Sequence, residues 1–203
     1  MIIKHTIRDL ISKINWEAFF IEWKFHKRFA SVANLQGCDV VRATWLTDFE
    51  QKDRAKASEA MQLLKEAYRI LEQLDKDYQV TTLHETTLAL PAKLQELVAL
   101  GPLHVPYTLM VAVADPEIDL LYANDTHNKK LVRTVTKRLV EAGIGVSREQ
   151  IAEDKHSFAI DPSTRMPELW QQLDEILDFK QIGASVSEEG NLLPMSAQCA
   201  IIM

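Results

Sequence analysis

Residues 51–75 run without a glycine or a proline, and their apolar side chains recur at helical spacing. Ala57, Ala60, Met61, Leu64, Ala67, Tyr68, Leu71 and Leu74 fall on one stripe, with good helix formers between them. A helix of this length must lay that stripe along an equally long partner surface, which fixes a helical layer in the fold. Asp48 is the expected N-cap. A second stripe lies at residues 126–142, where Leu131, Val132, Val135, Leu139 and Val140 recur and Gly143 is expected to close the helix. The stretch INWEAFFIEW, residues 14–23, places Trp16, Phe19, Phe20 and Trp23 at i, i+3, i+4 and i+7. That spacing makes one apolar helix face and predicts core packing.

The strand signals are shorter. YTLMVAVAD, 107–115, reads as a buried strand stopped by Asp115-Pro116. QVTTL is β-prone through Val80, Thr81 and Thr82. HSFAID, 156–161, reads as a short strand, and SAQCAIIM, 196–203, as a closing one. QIGASVSE, 181–188, turns Ile182, Ala184 and Val186 inward as a half-buried strand does. Residues 4–12 are a short lead-in helix or an extended arm, and residues 34–37 have turn chemistry. Pro91 to Leu100 reads as a short helix closed by Gly101. Pro162-Ser163-Thr164 is expected to open a helix whose face is Leu169, Trp170, Leu173, Ile176 and Leu177. With no internal repeat and no low-complexity linker, the reading is one α+β domain with an N-terminal helical layer.

Charge narrows the function classes. Asp plus Glu number 29 against 23 Lys plus Arg, a net charge of −6 that argues against a nucleic-acid surface. The clusters Lys24–His26–Lys27–Arg28 and Lys129–Lys130–Arg133 read as solvated helix surface rather than anion sites. Cys38 and Cys199 lie far apart and suggest neither a disulfide framework nor a thiolate metal site. Cys38 follows Gly37 in a turn and precedes Asp39, whose carboxylate disfavours a thiolate, so a packed thiol is expected. The start lacks the apolar core of a signal peptide, and the longest apolar run, 109–114, is too short to span a bilayer. The expected setting is cytoplasmic, with reduced thiols and no membrane contact.

Autonomous chemistry is hard to find. The six His are scattered, and no pair has the spacing that puts two imidazoles on one helix face toward a metal. His84 and Glu85 are adjacent and would point to opposite faces of a strand. There is no G-x-S-x-G elbow. GIG at 143–145 follows a helix and reads as its cap rather than as a phosphate-binding turn.

Two stretches carry a family resemblance. LISKINWEAFFIEW, continued through residues 29–78 by a Gly-Cys-Asp turn and the Ala-rich helix carrying EAMQLLKEA, resembles the opening of the activation domain of cobalamin-dependent methionine synthase. PELWQQLDEILDFKQIGASVSEEGNLLPMSAQCAIIM resembles its C-terminal pattern: an amphipathic helix, Ile182-Gly183, Ser187-Glu188-Glu189, Leu193-Pro194 and Ser196. DTHNKKLVRTVTKRLVEA, 125–142, is loosely similar to the family's central helix, and residues 80–125 match it poorly. The resemblance implies a single domain over 1–203, helical over 1–78 and α/β over 79–203. It implies a curved fold around a twisted, mostly antiparallel sheet.

It also implies a function. The domain presents S-adenosylmethionine to an oxidised corrinoid for reductive remethylation, with an electron from a flavodoxin-type donor. Cobalamin would be reached only through a partner, the cobalamin-binding subunit or domain of methionine synthase. The lower-ligand motif Asp-x-His-x-x-Gly is absent here, and the chain would not be catalytic alone. Carried over by position, the ligand residues are Asn15, where the family has Asp, Ser157-Phe158, where it has Gly-Tyr, and Glu188. The family's loop Arg falls near Glu153, with Lys155 and His156 as substitutes if the loop shifts. The alternative is a degenerate member that keeps the fold, has lost S-adenosylmethionine and serves as a binding or regulatory module.

Overall fold

In the computed structural model, residues 1–35, 39–88, 90–97, 106–151, 157–160 and 166–202 are described. The chain begins with strand β1 (Ile2–Thr6), which passes straight into helix α1 (Ile7–Ile11), so residues 4–12 are both arm and helix. Helix α2 (Trp16–Glu22) is the aromatic helix. A 3-10 segment (Lys27–Asn34) leads to α3 (Asp39–Thr47) and to the long helix α4 (Gln51–Asp77). Then come β2 (Gln79–Thr87), α5 (Ala92–Leu97) and β3 (Tyr107–Ala114). A short 3-10 turn (Pro116–Leu120) precedes α6 (Thr126–Ile151). The remainder is β4 (Ser157–Ile160), α7 (Pro167–Leu177), a 3-10 turn (Phe179–Ile182), the hairpin β5 (Ser185–Val186) and β6 (Leu192–Leu193), and β7 (Gln198–Ile202).

Five strands form one sheet in the order β1-β2-β3-β7-β4, every neighbouring pair antiparallel. The predicted α+β class and antiparallel sheet are therefore those of the structure. β3 and β7 are buried along their whole length, as expected of strands covered on both faces. Alternation splits the side chains between two cores. Val80, Ala112 and Ala114 face the layer of α1, α2, α4 and α6. Leu83, Leu109, Val111, Val113, Cys199 and Ile201 face α5, α7 and the β5–β6 hairpin.

The aromatic helix packs as its spacing predicts. Phe19 and Phe20 are fully buried, each contributing about 1.5–3 kcal/mol by desolvation. Trp16 meets Phe19 edge-on at 5.3 Å and leans on Tyr68 of α4 at 5.2 Å, while Phe20 meets Phe25 at 5.7 Å. Each basic cluster has a member engaged here: Lys130 Nζ lies 4.1 Å from the Trp23 ring centre, and Arg28 pairs with Asp53 at 2.8 Å.

Three boundaries differ from expectation. α4 begins at Gln51 with Glu50 at its N-cap and no side-chain cap, whereas the Asp48 amide is spent on the Trp45 carbonyl at the end of α3. α6 does not stop at Gly143. It runs on to Ile151 with Gly143 and Gly145 inside it, because Ser147 is drawn into a buried network with His5 and Thr82. Gly143 is there for proximity: a Cβ would stand 2.9 Å from Val80 Cγ1. The last long helix begins at Pro167, not at residues 162–164, which with Gly37, Cys38 and Gly101 lie outside the described residues. The inward turn of Ile182 and Ala184 is real, but it is built from a 3-10 turn and a two-residue strand.

Candidate functional site

Asn15 caps α2: its side-chain oxygen accepts the Ala18 amide at 2.9 Å. The cap leaves the residue exposed at the side of α6, where a pocket of about 260 Å³ opens. Its lining is Lys13, Asn15, Glu141, Ala142, Gly145, Val146 and Glu149. The hollow follows from the sequence, since a Cβ on Gly145 would meet nothing within 4 Å. Of the two glycines, Gly143 lets α6 close on the sheet and Gly145 leaves space on its outer side.

Glu141 supplies the pocket's chemistry. Burial raises its carboxyl above the ordinary value, opposed by the charges of Arg138 and Lys137 and reinforced by Glu22. Arg138, itself buried, donates to Glu141 Oε2 at 3.0 Å and to Glu22 Oε2 at 3.3 Å. One guanidinium thus ties the aromatic helix to the carboxylate that faces the pocket. The Lys13 ammonium reaches Glu149 at 3.2 Å and links the α1–α2 connection to α6. The lining offers two carboxylates, a carboxamide and one ammonium, a balance that favours a cationic group. Its volume is below the roughly 300–1,000 Å³ of drug-sized sites, so it suits the charged end of a longer ligand rather than the whole.

The other residues singled out in the sequence lie elsewhere. Phe158 sits on β4, the sheet edge, opposite Ile201. Directly opposed residues share a face, so Phe158 lies on the α7 side, away from Asn15, with 42% of its surface exposed. Ser157 opens the same strand opposite Ile202. Glu188 is exposed in the turn between β5 and β6, where the Ser187 amide donates to the Asn191 carbonyl at 2.9 Å. Glu153, Lys155 and His156 lie outside the described residues. Glu141 is the functional candidate that sequence reading missed. Its signal was positional: it is the acidic residue two positions before Gly143 and one turn before Gly145 in α6.

Two comparisons with known proteins bear on this arrangement. Residues 6–97 match the family model described as vitamin B12 dependent methionine synthase, activation domain. The structure is similar to a crystal structure of the MetH reactivation domain bound to AdoHcy, with a TM-score of 0.66 and 15% identity, over 100% of this chain and 77% of that one. At that identity the likeness establishes the fold, and it extends to the C-terminal stretch that the family model leaves out. No curated protein sequence matches.

Proposed function

Starting from a chain whose residues 6–97 match the activation domain of vitamin B12 dependent methionine synthase and whose whole length has the reactivation-domain fold, we propose that it is a reactivation module that binds S-adenosylmethionine. The observation that carries this reading is the pocket in which Asn15 and Glu141 meet. An ammonium entering it finds the Glu141 carboxylate, and the Asn15 carbonyl keeps one lone pair free beside its bond to Ala18. Arg138 holds Glu141 from behind. S-adenosylmethionine would supply the methyl group for a corrinoid carried by a cobalamin-binding partner, with an electron from a flavodoxin-type donor. The tasks of this chain are then to bind and orient the methyl donor and to dock.

Calorimetric titration of S-adenosylmethionine tests the reading. Saturable binding is expected, weakened tenfold or more by Glu141→Gln and tightened by Asn15→Asp, which keeps the cap and adds a charge. The second reading, a module that has lost the ligand, draws on the placement of Phe158 across the sheet from Asn15. It predicts no heat at millimolar ligand but retention of the protein by an immobilised cobalamin-binding domain of methionine synthase.

A further inference from the structure

A second hollow lies along α4. It is a trough of about 440 Å³ between α4, α3 and the 3-10 segment Lys27–Asn34, within the size range of small-molecule sites. Its floor is apolar: Val32, Leu35, Met61 and Leu64. Lys65 and Arg69 stand at i and i+4 on α4, Arg42 faces them from α3, and Glu72 is the one carboxylate among the lining residues. Three cations against one acid is the reverse of the balance in a chain of net charge −6.

Among the described residues, Lys65 and Arg69 make no hydrogen bond or ion pair and the Tyr68 hydroxyl makes no hydrogen bond, although all three line the trough. The contrast with the larger hollow beside Trp23, of about 690 Å³, is informative. There Lys56 is paired with Glu59 at 2.7 Å and Glu66 with His127 at 2.9 Å, so its charges are spent within the protein. In the α4 trough Lys65, Arg69 and the Tyr68 hydroxyl have no hydrogen-bond or ion-pair partner among the described residues, and they line the same hollow as the apolar side chains.

We propose that this trough binds a small amphiphilic anion, an alkyl or aryl carboxylate, with its apolar body on Val32, Met61 and Leu64 and its carboxylate between Lys65, Arg69 and Tyr68. Arg69 can offer a forked pair of N–H donors and Lys65 a point charge, the pairing that planar carboxylates select. The apolar floor supplies the hydrophobic share and discriminates against acetate-sized anions. This site is separate from the Asn15 pocket and does not depend on the function proposed for it.

Octanoate is the probe, and methyl-labelled methionine is the reporter, because Met61 is the trough's own methionine. Expected is a saturable shift of the Met61 methyl resonance, with Met110, buried in the sheet, unmoved. 1-Octanol should bind at least tenfold more weakly, as should octanoate to Lys65→Gln/Arg69→Gln, whose exposed side chains can be changed without unfolding the protein. No saturable shift at Met61 overturns the proposal. So does equal binding of octanol and octanoate, which would leave only an apolar cleft, and so does undiminished octanoate binding by the double variant.

Discussion

At the scale of single residues, the informative positions are those where a structural and a binding role coincide. Asn15 is the clearest. Removing its cap oxygen in Asn15→Ala should cost about 1 kcal/mol in urea unfolding, whereas Asn15→Asp should hold stability near that of the parent. A ligand effect seen in the aspartate variant is therefore free of any capping effect. Glu141 yields a pH signature. Its folded pKa is raised by burial, so between the ordinary carboxylate range and that raised value the folded state holds more protons than the unfolded one. Its contribution to stability is full at low pH and declines as pH rises through that window. Glu141→Gln removes the decline, so relative to the parent it should gain stability from pH 4 to pH 7 in paired urea melts.

At the scale of elements, the two glycines of α6 make opposite predictions from the same dipeptide spacing. Gly143→Ala drives a Cβ to 2.9 Å from the stiff, fully buried Val80 and should destabilise by about 1–3 kcal/mol. Gly145→Ala meets open space in a helix interior and should stabilise by up to about 1 kcal/mol. A bulkier Gly145→Leu should fill the hollow and block ligand at Asn15 without loss of thermal stability. This helix also shows what could be read from sequence. Periodicity found the stripe Leu131–Val140 but not the end, because Ser147 is held in the helix by His5 and Thr82 from remote strands. Likewise β3 was legible as an unbroken apolar run, and α2 as an aromatic stripe. α3 was missed because it is short and offers little apolar surface: Val40 and Val41 are exposed, and Trp45 is the buried hydrophobic side chain among its described residues. The Asn15 half of the pocket was legible through local chemistry. The Glu141 half arises only when α6 crosses the sheet and brings a distant segment alongside.

At the scale of the whole molecule, the β1–β2 edge is where acid should act first. His5 on β1 contacts Thr82 and Ser147 within the protein, and His84 on β2 is also buried. Burial lowers both imidazoles below their usual 6.5, opposed by Asp9 at His5, while at His84 the Met1 ammonium adds to the lowering and Glu85 opposes it. A lowered histidine means that the unfolded chain takes up its proton at higher pH than the folded one. Their contribution is full above 6.5 and is lost as pH falls below it, toward the folded values. Urea midpoints should therefore drop from pH 7 to pH 5, and a His5→Gln variant should show a shallower drop. A slope unchanged in that variant would remove His5 from this account.

β7 follows the other described strands in the sequence yet sits inside the sheet, between β3 and the edge strand β4. During synthesis, β3 and β4 must therefore wait with unsatisfied backbone edges until residues 198–202 have left the ribosome. Until then β4 has no neighbour in the sheet among the described residues, and the β3 edge that β7 will pair with is open to foreign strands. Closure of the sheet therefore waits on β7, and a nascent chain that has not yet exposed residues 198–202 is the form that a chaperone would have to shelter.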